Sequence, residues 1–172
     1  MRNFVLGVVI TLLVVIAGGF LYLQSGLLDV RGDLPPSRLE TYLMRTAVHA
    51  SVRRHAENVA NPLPPTEENL IAGGKMYLNE CSGCHGTPGK AQEHADPLNP
   101  PPPQLAVVGT QYSEPQVFWV AKHGIRHSGM FANGVWDSDQ KLWTVAGYIK
   151  RMNNLPPRVK EALEEKPKSA GQ

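Results

Sequence analysis

The sequence predicts an all-α protein: a membrane-spanning helix, then an amphipathic helix, then a small helical domain with long loops. Three observations carry this expectation. Residues 4–23, FVLGVVITLLVVIAGGFLYL, hold no charge. Farther along, apolar residues recur every three or four positions behind capping residues at Ser37, Thr66 and Asp137 or Ser138. No stretch alternates apolar and polar residues as a half-buried strand does.

The uncharged run is long enough to span a bilayer. At about 1.5 Å per residue, twenty helical residues cover roughly 30 Å, the thickness of the hydrocarbon core. Its polar breaks are Thr11 and Tyr22, and Tyr22 stands near the end, where an interfacial aromatic is favoured. Ala17 and Gly19 are spaced as a signal peptidase accepts, but cleavage there leaves FLYL exposed at the new terminus. The expectation is therefore an anchor rather than a cleaved signal, with residues 1–23 as its unit. Charge orients it weakly: Arg2 lies on one side, and Arg31 and Arg38 on the other are offset by Asp29 and Asp33.

Residues 24–66 read as a tether bearing a basic amphipathic helix. Pro35 and Pro36 stop any continuing helix, and Ser37 with Glu40 three residues on has the capping-box pattern. The helix is expected to run to about Asn58, with Leu39, Leu43, Ala47 and Ala50 as its apolar stripe. Arg38, Arg45, Arg53, Arg54, His49 and His55 make it basic. It is expected to pack on the main domain or lie at the membrane surface; a docking face for an acidic partner or anionic lipid is the second reading. The run NPLPP from Asn61 breaks the chain and places a boundary near residue 65.

The main domain is expected over residues 67–153. Thr66 caps a helix that includes Leu70, Ile71, Met76 and Tyr77 and reaches Cys81. Residues 86–116 are rich in Gly, Pro and polar side chains and read as loop, with prolines at 100, 101, 102 and 103. Glu114 and Pro115 open a helix over 116–123 with Val117, Phe118, Val120 and Ala121 as its apolar positions. In the last clear helix Leu142, Trp143, Val145, Ala146 and Ile149 face the core, and Lys150 and Arg151 suit its C-terminal end. Residues 154–172 are charged, lack large apolar anchors and are expected to be disordered.

Composition excludes several functions. The chain has 17 Lys and Arg against 15 Asp and Glu, so neither a basic nucleic-acid binder nor an acidic disordered chain fits. Two Cys residues exclude a disulfide scaffold and a four-Cys zinc site.

Those two Cys carry the chemistry. The run Cys81-Ser82-Gly83-Cys84-His85 has the c-type haem attachment pattern. Two thiols three positions apart can add to the two vinyl groups of one porphyrin, and the adjacent imidazole then meets the iron from one face. A thioredoxin-like pair would follow a strand and open a helix, whereas this one ends a helix. A zinc site would recruit His85 and His94, but the one-residue step from Cys84 to His85 is poor for a tetrahedral chelate. The expected cofactor is one covalent haem c with its iron.

A second axial ligand has four candidates: His94, His123, His127 and Met130. Met130 lies in an irregular Gly-rich stretch between two helices, from which a loop can deliver its thioether to the open face. Met76 and Met152 sit on expected helices as core fillers, and Met44 lies before the domain. Sulfur ligation raises the potential relative to a second imidazole. Val107, Val108, Phe118, Trp119, Trp136 and Trp143 are candidates for an apolar wall that excludes water.

From about Asn69 to Met152 the chain resembles a class I, monohaem cytochrome c domain. AGGKMYLNECSGCHG resembles that family's N-terminal helix, with Gly73 and Tyr77 in the places of its Gly and aromatic. KLWTVAGYIKRM resembles the C-terminal helix that crosses it, with Trp143 and Tyr148 as aromatics. GIRHSGM resembles the segment that brings the distal Met, which falls on Met130; Phe131 stands where the family usually has Pro. The resemblance implies a small residue at the helix crossing. It also implies that a Pro carbonyl, among Pro100 to Pro103, accepts the proximal imidazole N–H.

The implied function is one-electron transfer by a membrane-anchored c-type cytochrome, as a free carrier or as a subunit of an electron-transport complex, and not catalysis by the chain itself. Haem sites would be Cys81, Cys84, His85 and Met130, with His85 and Met130 on the iron. Its partners would be membrane-bound or periplasmic redox proteins, and the haem domain would lie on the periplasmic side of a single-pass membrane protein. Seven Lys or Arg against eight Asp or Glu over residues 67–153 give no basic steering face. A tether supplies local concentration instead. The alternative is a haem gas sensor or haem enzyme with a displaceable sixth ligand.

Overall fold

The computed structural model describes residues 1–92 and 98–164. The chain divides into two compact units, Met1–Gly32 and Asp33–Gln172. Among the described residues the structure is helical, with one isolated bridge between Thr87 and Lys90.

The first unit is helix α1, Arg2–Gln24, which contains the uncharged run and buries none of its residues. It is long and apolar enough to cross a membrane. Its hydroxyl at Thr11 donates to the Gly7 carbonyl one turn back, which satisfies the polar atom inside the helix itself. A single apolar helix with no protein burial fits a membrane anchor.

The second unit begins with α2, Arg38–His55, capped where Ser37 Oγ accepts the Glu40 N–H at 3.2 Å. Its packing differs from the sequence expectation. The buried position is Val52, with Val48 and His49 half-buried beside it, whereas Leu39 and Leu43 of the expected stripe are exposed. Periodicity identified an apolar face, but two such faces exist, and tertiary contact chose the other. His49 Nδ1 lies 2.8 Å from the Tyr112 hydroxyl, and the His55 ring stacks on Trp119. The second contact joins α2 to α6, Glu114–His123, and the first ties it to the segment just before α6.

Helix α3, Glu67–Met76, starts as expected, with Thr66 Oγ1 accepting the Asn69 N–H. It does not stop at Cys81. A π-helical turn, Tyr77–Cys81, leads into α4, Ser82–His85, so the attachment motif rides on a continuing helix with a widened turn. Helix α5 is the short Leu105–Val108. Helix α7, Asp139–Arg151, is capped by Ser138 and buries all five expected apolar positions plus Tyr148 and Gly147.

The core lies where α3 crosses α7. Tyr77, Leu142, Ala146 and Tyr148 are wholly buried there, and burial of each large side chain is worth about 1.5–3 kcal/mol. Gly73 makes the crossing possible: a Cβ on it would lie 2.2 Å from the Thr144 carbonyl oxygen. Met76 and Met152 are core fillers, as expected.

The expected disordered tail needs correction. Pro157–Glu164 forms helix α8, with Val159 fully buried and Leu163 packed against the core. Leu155, Val159 and Leu163 are spaced by four and make one narrow stripe, diluted in sequence by the surrounding charges. Pro157 occupies the first helical position, where its missing N–H costs nothing. Residues 165–172 lie outside the described residues.

Candidate functional site

The site is built around α4. Cys81 is half-buried and Cys84 is exposed, and neither thiol is in a disulfide. His85 follows directly, and its Nδ1 lies 2.8 Å from the Pro103 carbonyl oxygen. A carbonyl only accepts, so Nδ1 carries the proton and donates. The Nε2 lone pair is then free for a metal. Of the four consecutive prolines, the fold brings Pro103 to His85.

Electrostatics favour the ligating form. Burial lowers the His85 pKa, and the bond to Pro103 opposes this in part. The shift favours the neutral imidazole that a metal ligand requires. Burial, followed by the nearby Glu80, Asp137 and Cys84 charges, pushes the free Cys81 thiol up to about 12.

Two side chains that the sequence reading did not single out as part of the site hold this segment. Gln104 Nε2 donates to the Cys84 carbonyl at 3.0 Å and to the Pro102 carbonyl at 3.2 Å, while its Oε1 accepts the Gln92 N–H at 2.7 Å. One amide therefore ties the attachment helix, the following loop and the proline run together. The Tyr77 hydroxyl sits 3.1 Å from the His85 carbonyl and 2.8 Å from the Gly86 carbonyl. Gly86 has φ +80, and a Cβ there would lie 2.8 Å from the Lys90 carbonyl oxygen. Tyr77 was legible as the aromatic of a helix, but nothing in sequence marked its hydroxyl as a clamp.

Met130 occupies a closed loop. The Ile125 N–H donates to the Met130 carbonyl, Ser128 Oγ donates to the Ile125 carbonyl, and the Met130 N–H donates to Ser128 Oγ. Gly124 at φ +65 enters the loop beneath it, where a Cβ would strike the Met130 carbonyl oxygen at 2.6 Å. These bonds fix the Met130 backbone although Phe131, not Pro, follows it. The His candidates differ. His123 is exposed and lies against Trp119, His127 is exposed at φ +59, and His94 lies outside the described residues.

The residues fit a porphyrin. Val107 and Val108, at the end of α5 and a few residues past the Pro103 that holds His85, are 52% and 73% exposed, and Phe131, which follows Met130, and Trp136, edge-on to Phe131, are also exposed. Exposed apolar side chains thus lie in the segments that carry Pro103 and Met130, and both thiols are free. The expected apolar wall divides, however. Phe118 and Trp143 stack on each other at 4.0 Å, with Trp143 in the core, and Trp119 is engaged with His55. Among the described residues no three His, Cys, Asp or Glu side chains converge, so they form no zinc cluster.

Residues 68–149 match the family model described as cytochrome C oxidase, cbb3-type, subunit III. Residues 68–149 are a monohaem c-type cytochrome domain. The match covers just under half of the chain and runs from α3 through most of α7, so it includes the attachment motif and the Met130 loop. No curated protein and no solved structure matches the chain. The cytochrome domain carries covalently bound haem c with its iron and serves electron transfer. Helices α1, α2 and α8 lie outside the match.

Proposed function

We propose that this chain is a membrane-anchored cytochrome in which Cys81 and Cys84 attach the haem, His85 is the proximal ligand and Met130 the distal one. Residues 67–153 form the functional haem domain, held on the periplasmic side by α1. It passes single electrons between membrane-bound or periplasmic redox proteins. The family match supports a subunit or close partner of a terminal oxidase complex over a free diffusing carrier.

The observation that carries this reading is the bond between His85 and Pro103 on the helix that bears both thiols. It sets the tautomer, aims Nε2 and raises the basicity of the imidazole. When bound, the haem supplies a one-electron ferric–ferrous couple. The chain supplies rigidity: Gln104 and Tyr77 fix the proximal side, and the Ser128 bonds fix the Met130 backbone. Little then reorganises when the charge changes. Apolar neighbours favour the less charged ferrous state and, with the thioether, raise the potential.

The test is a Met130→Ala variant of the haem-loaded protein. The unmodified protein should show the weak far-red band of a thioether–ferric bond and bind carbon monoxide slowly. The variant should lose the band, bind carbon monoxide readily and fall in potential. If the unmodified protein already lacks the band and binds carbon monoxide at once, the sensor or enzyme reading replaces this one.

A further inference from the structure

Helix α2 has a second apolar face that the domain does not use. Val48 and Val52 turn toward the rest of the unit, whereas Leu39, Leu43, Ala47 and Ala50 point away from it on the opposite side. Leu39 is 67% exposed and Leu43 54%, with Tyr42 exposed at the border. Arg53 and Arg54, both exposed, flank the stripe at its C-terminal end. Among the described residues none of Arg38, Arg45, Arg53 and Arg54 is in an ion pair, and Glu40 is the helix's one acidic residue.

We propose that this face of α2 lies on an anionic lipid surface, on the leaflet nearest the haem domain. The proposal rests on the reading of α1 as the anchor. Thirteen residues separate Gln24 from Arg38, and even fully extended they reach at most about 45–50 Å. The tether therefore holds α2 at high local concentration beside the leaflet, where a weak contact suffices. The charge is complementary: each arginine near an anionic surface is worth roughly a fivefold gain in binding. Two leucines and two alanines are too small a patch for the core of a stable protein interface, but they suit shallow insertion between headgroups, which needs no matched shape.

The experiment uses the full, haem-loaded chain in nanodiscs of phosphatidylcholine alone or with one-third phosphatidylglycerol, read by hydrogen exchange and mass spectrometry. Amides of residues 38–50 should exchange about tenfold more slowly in the anionic discs. High salt should abolish the difference, as should the Arg53→Gln/Arg54→Gln variant, while α7 exchange stays constant. Equal exchange in both lipids overturns the proposal and leaves the anchor standing. Slowing that ignores lipid charge and grows with protein concentration shows a second copy on this face and also overturns it. Co-elution with neutral discs reports α1 separately. A chain that leaves neutral discs but stays on anionic ones upholds the face and removes the anchor; one that leaves both removes both.

Discussion

Gly73→Ala tests the helix crossing on which the haem site stands. The added methyl would meet the Thr144 carbonyl oxygen at 2.2 Å, its carbon at 2.7 Å and Tyr148 Cβ at 3.0 Å. Two of these atoms are backbone and cannot rotate aside. Ordinary contact begins near 3.4 Å, so the axes of α3 and α7 must part by about 1 Å. A gap of that size forfeits roughly a quarter to a half of the dispersion energy between the facing side chains. The better helix propensity of Ala offsets about 1 kcal/mol. The net loss should be about 3 kcal/mol, read as a fall of roughly 1–2 M in the urea midpoint followed by circular dichroism. Gly74→Ala is the control. Its methyl meets the mobile tips of Leu163 at 2.5 Å and 2.8 Å and the edge of the Tyr148 ring at 2.9 Å. Leu163 can turn away, so the loss should be about 1 kcal/mol. A Gly73→Ala midpoint equal to or above that of the unmodified protein would refute the close-approach argument.

Burial is the first cause of a raised pKa at both Tyr77 and Tyr148. The fold holds both phenols protonated, so stability should be level up to the ordinary tyrosine value of 10.0 and fall above it. The slope should be roughly 1.4 kcal/mol per pH unit per tyrosine, because the unfolded chain releases protons that the folded one keeps. Urea midpoints at rising pH measure this, and an unchanged slope in the Tyr77→Phe/Tyr148→Phe variant counts against it. Asn61 Nδ2 donates to Glu114 at 2.8 Å and to the Trp143 carbonyl at 3.1 Å; Asn61→Ala should cost about 1–2 kcal/mol, and a loss below a few tenths would show these bonds to be exchangeable with water. Val159→Asp places an unpartnered carboxylate at a wholly buried position; it should undock α8, so that limited proteolysis cuts after Met152 while the haem spectrum persists. A protected C-terminal segment in that variant would argue against docking through Val159.

The pattern of Cys81, Cys84 and His85 was legible because its members lie along one turn of chain, without help from the rest of the fold. The apolar run of α1 and the caps at Ser37, Thr66 and Ser138 were legible for the same local reason: the residues that form them are neighbours. Gly73 and Tyr77 could be read from their spacing within a known pattern, because a crossing demands a small residue at one place.

Contacts distant in sequence were decided only by tertiary structure. Pro103 rather than its three neighbours meets His85, because the turn of the loop and the grip of Gln104 set which carbonyl points inward. Helix α2 turned its Val52 face inward, because α6 and Tyr112 offered a partner there, while Leu39 and Leu43 stay exposed. Helix α8 ordered because Leu155, Val159 and Leu163 found α3 to cover, a surface that exists only after α3 and α7 have crossed. Local chemistry and periodicity are properties of a segment; the choice among equivalent faces and carbonyls depends on the surface each one meets.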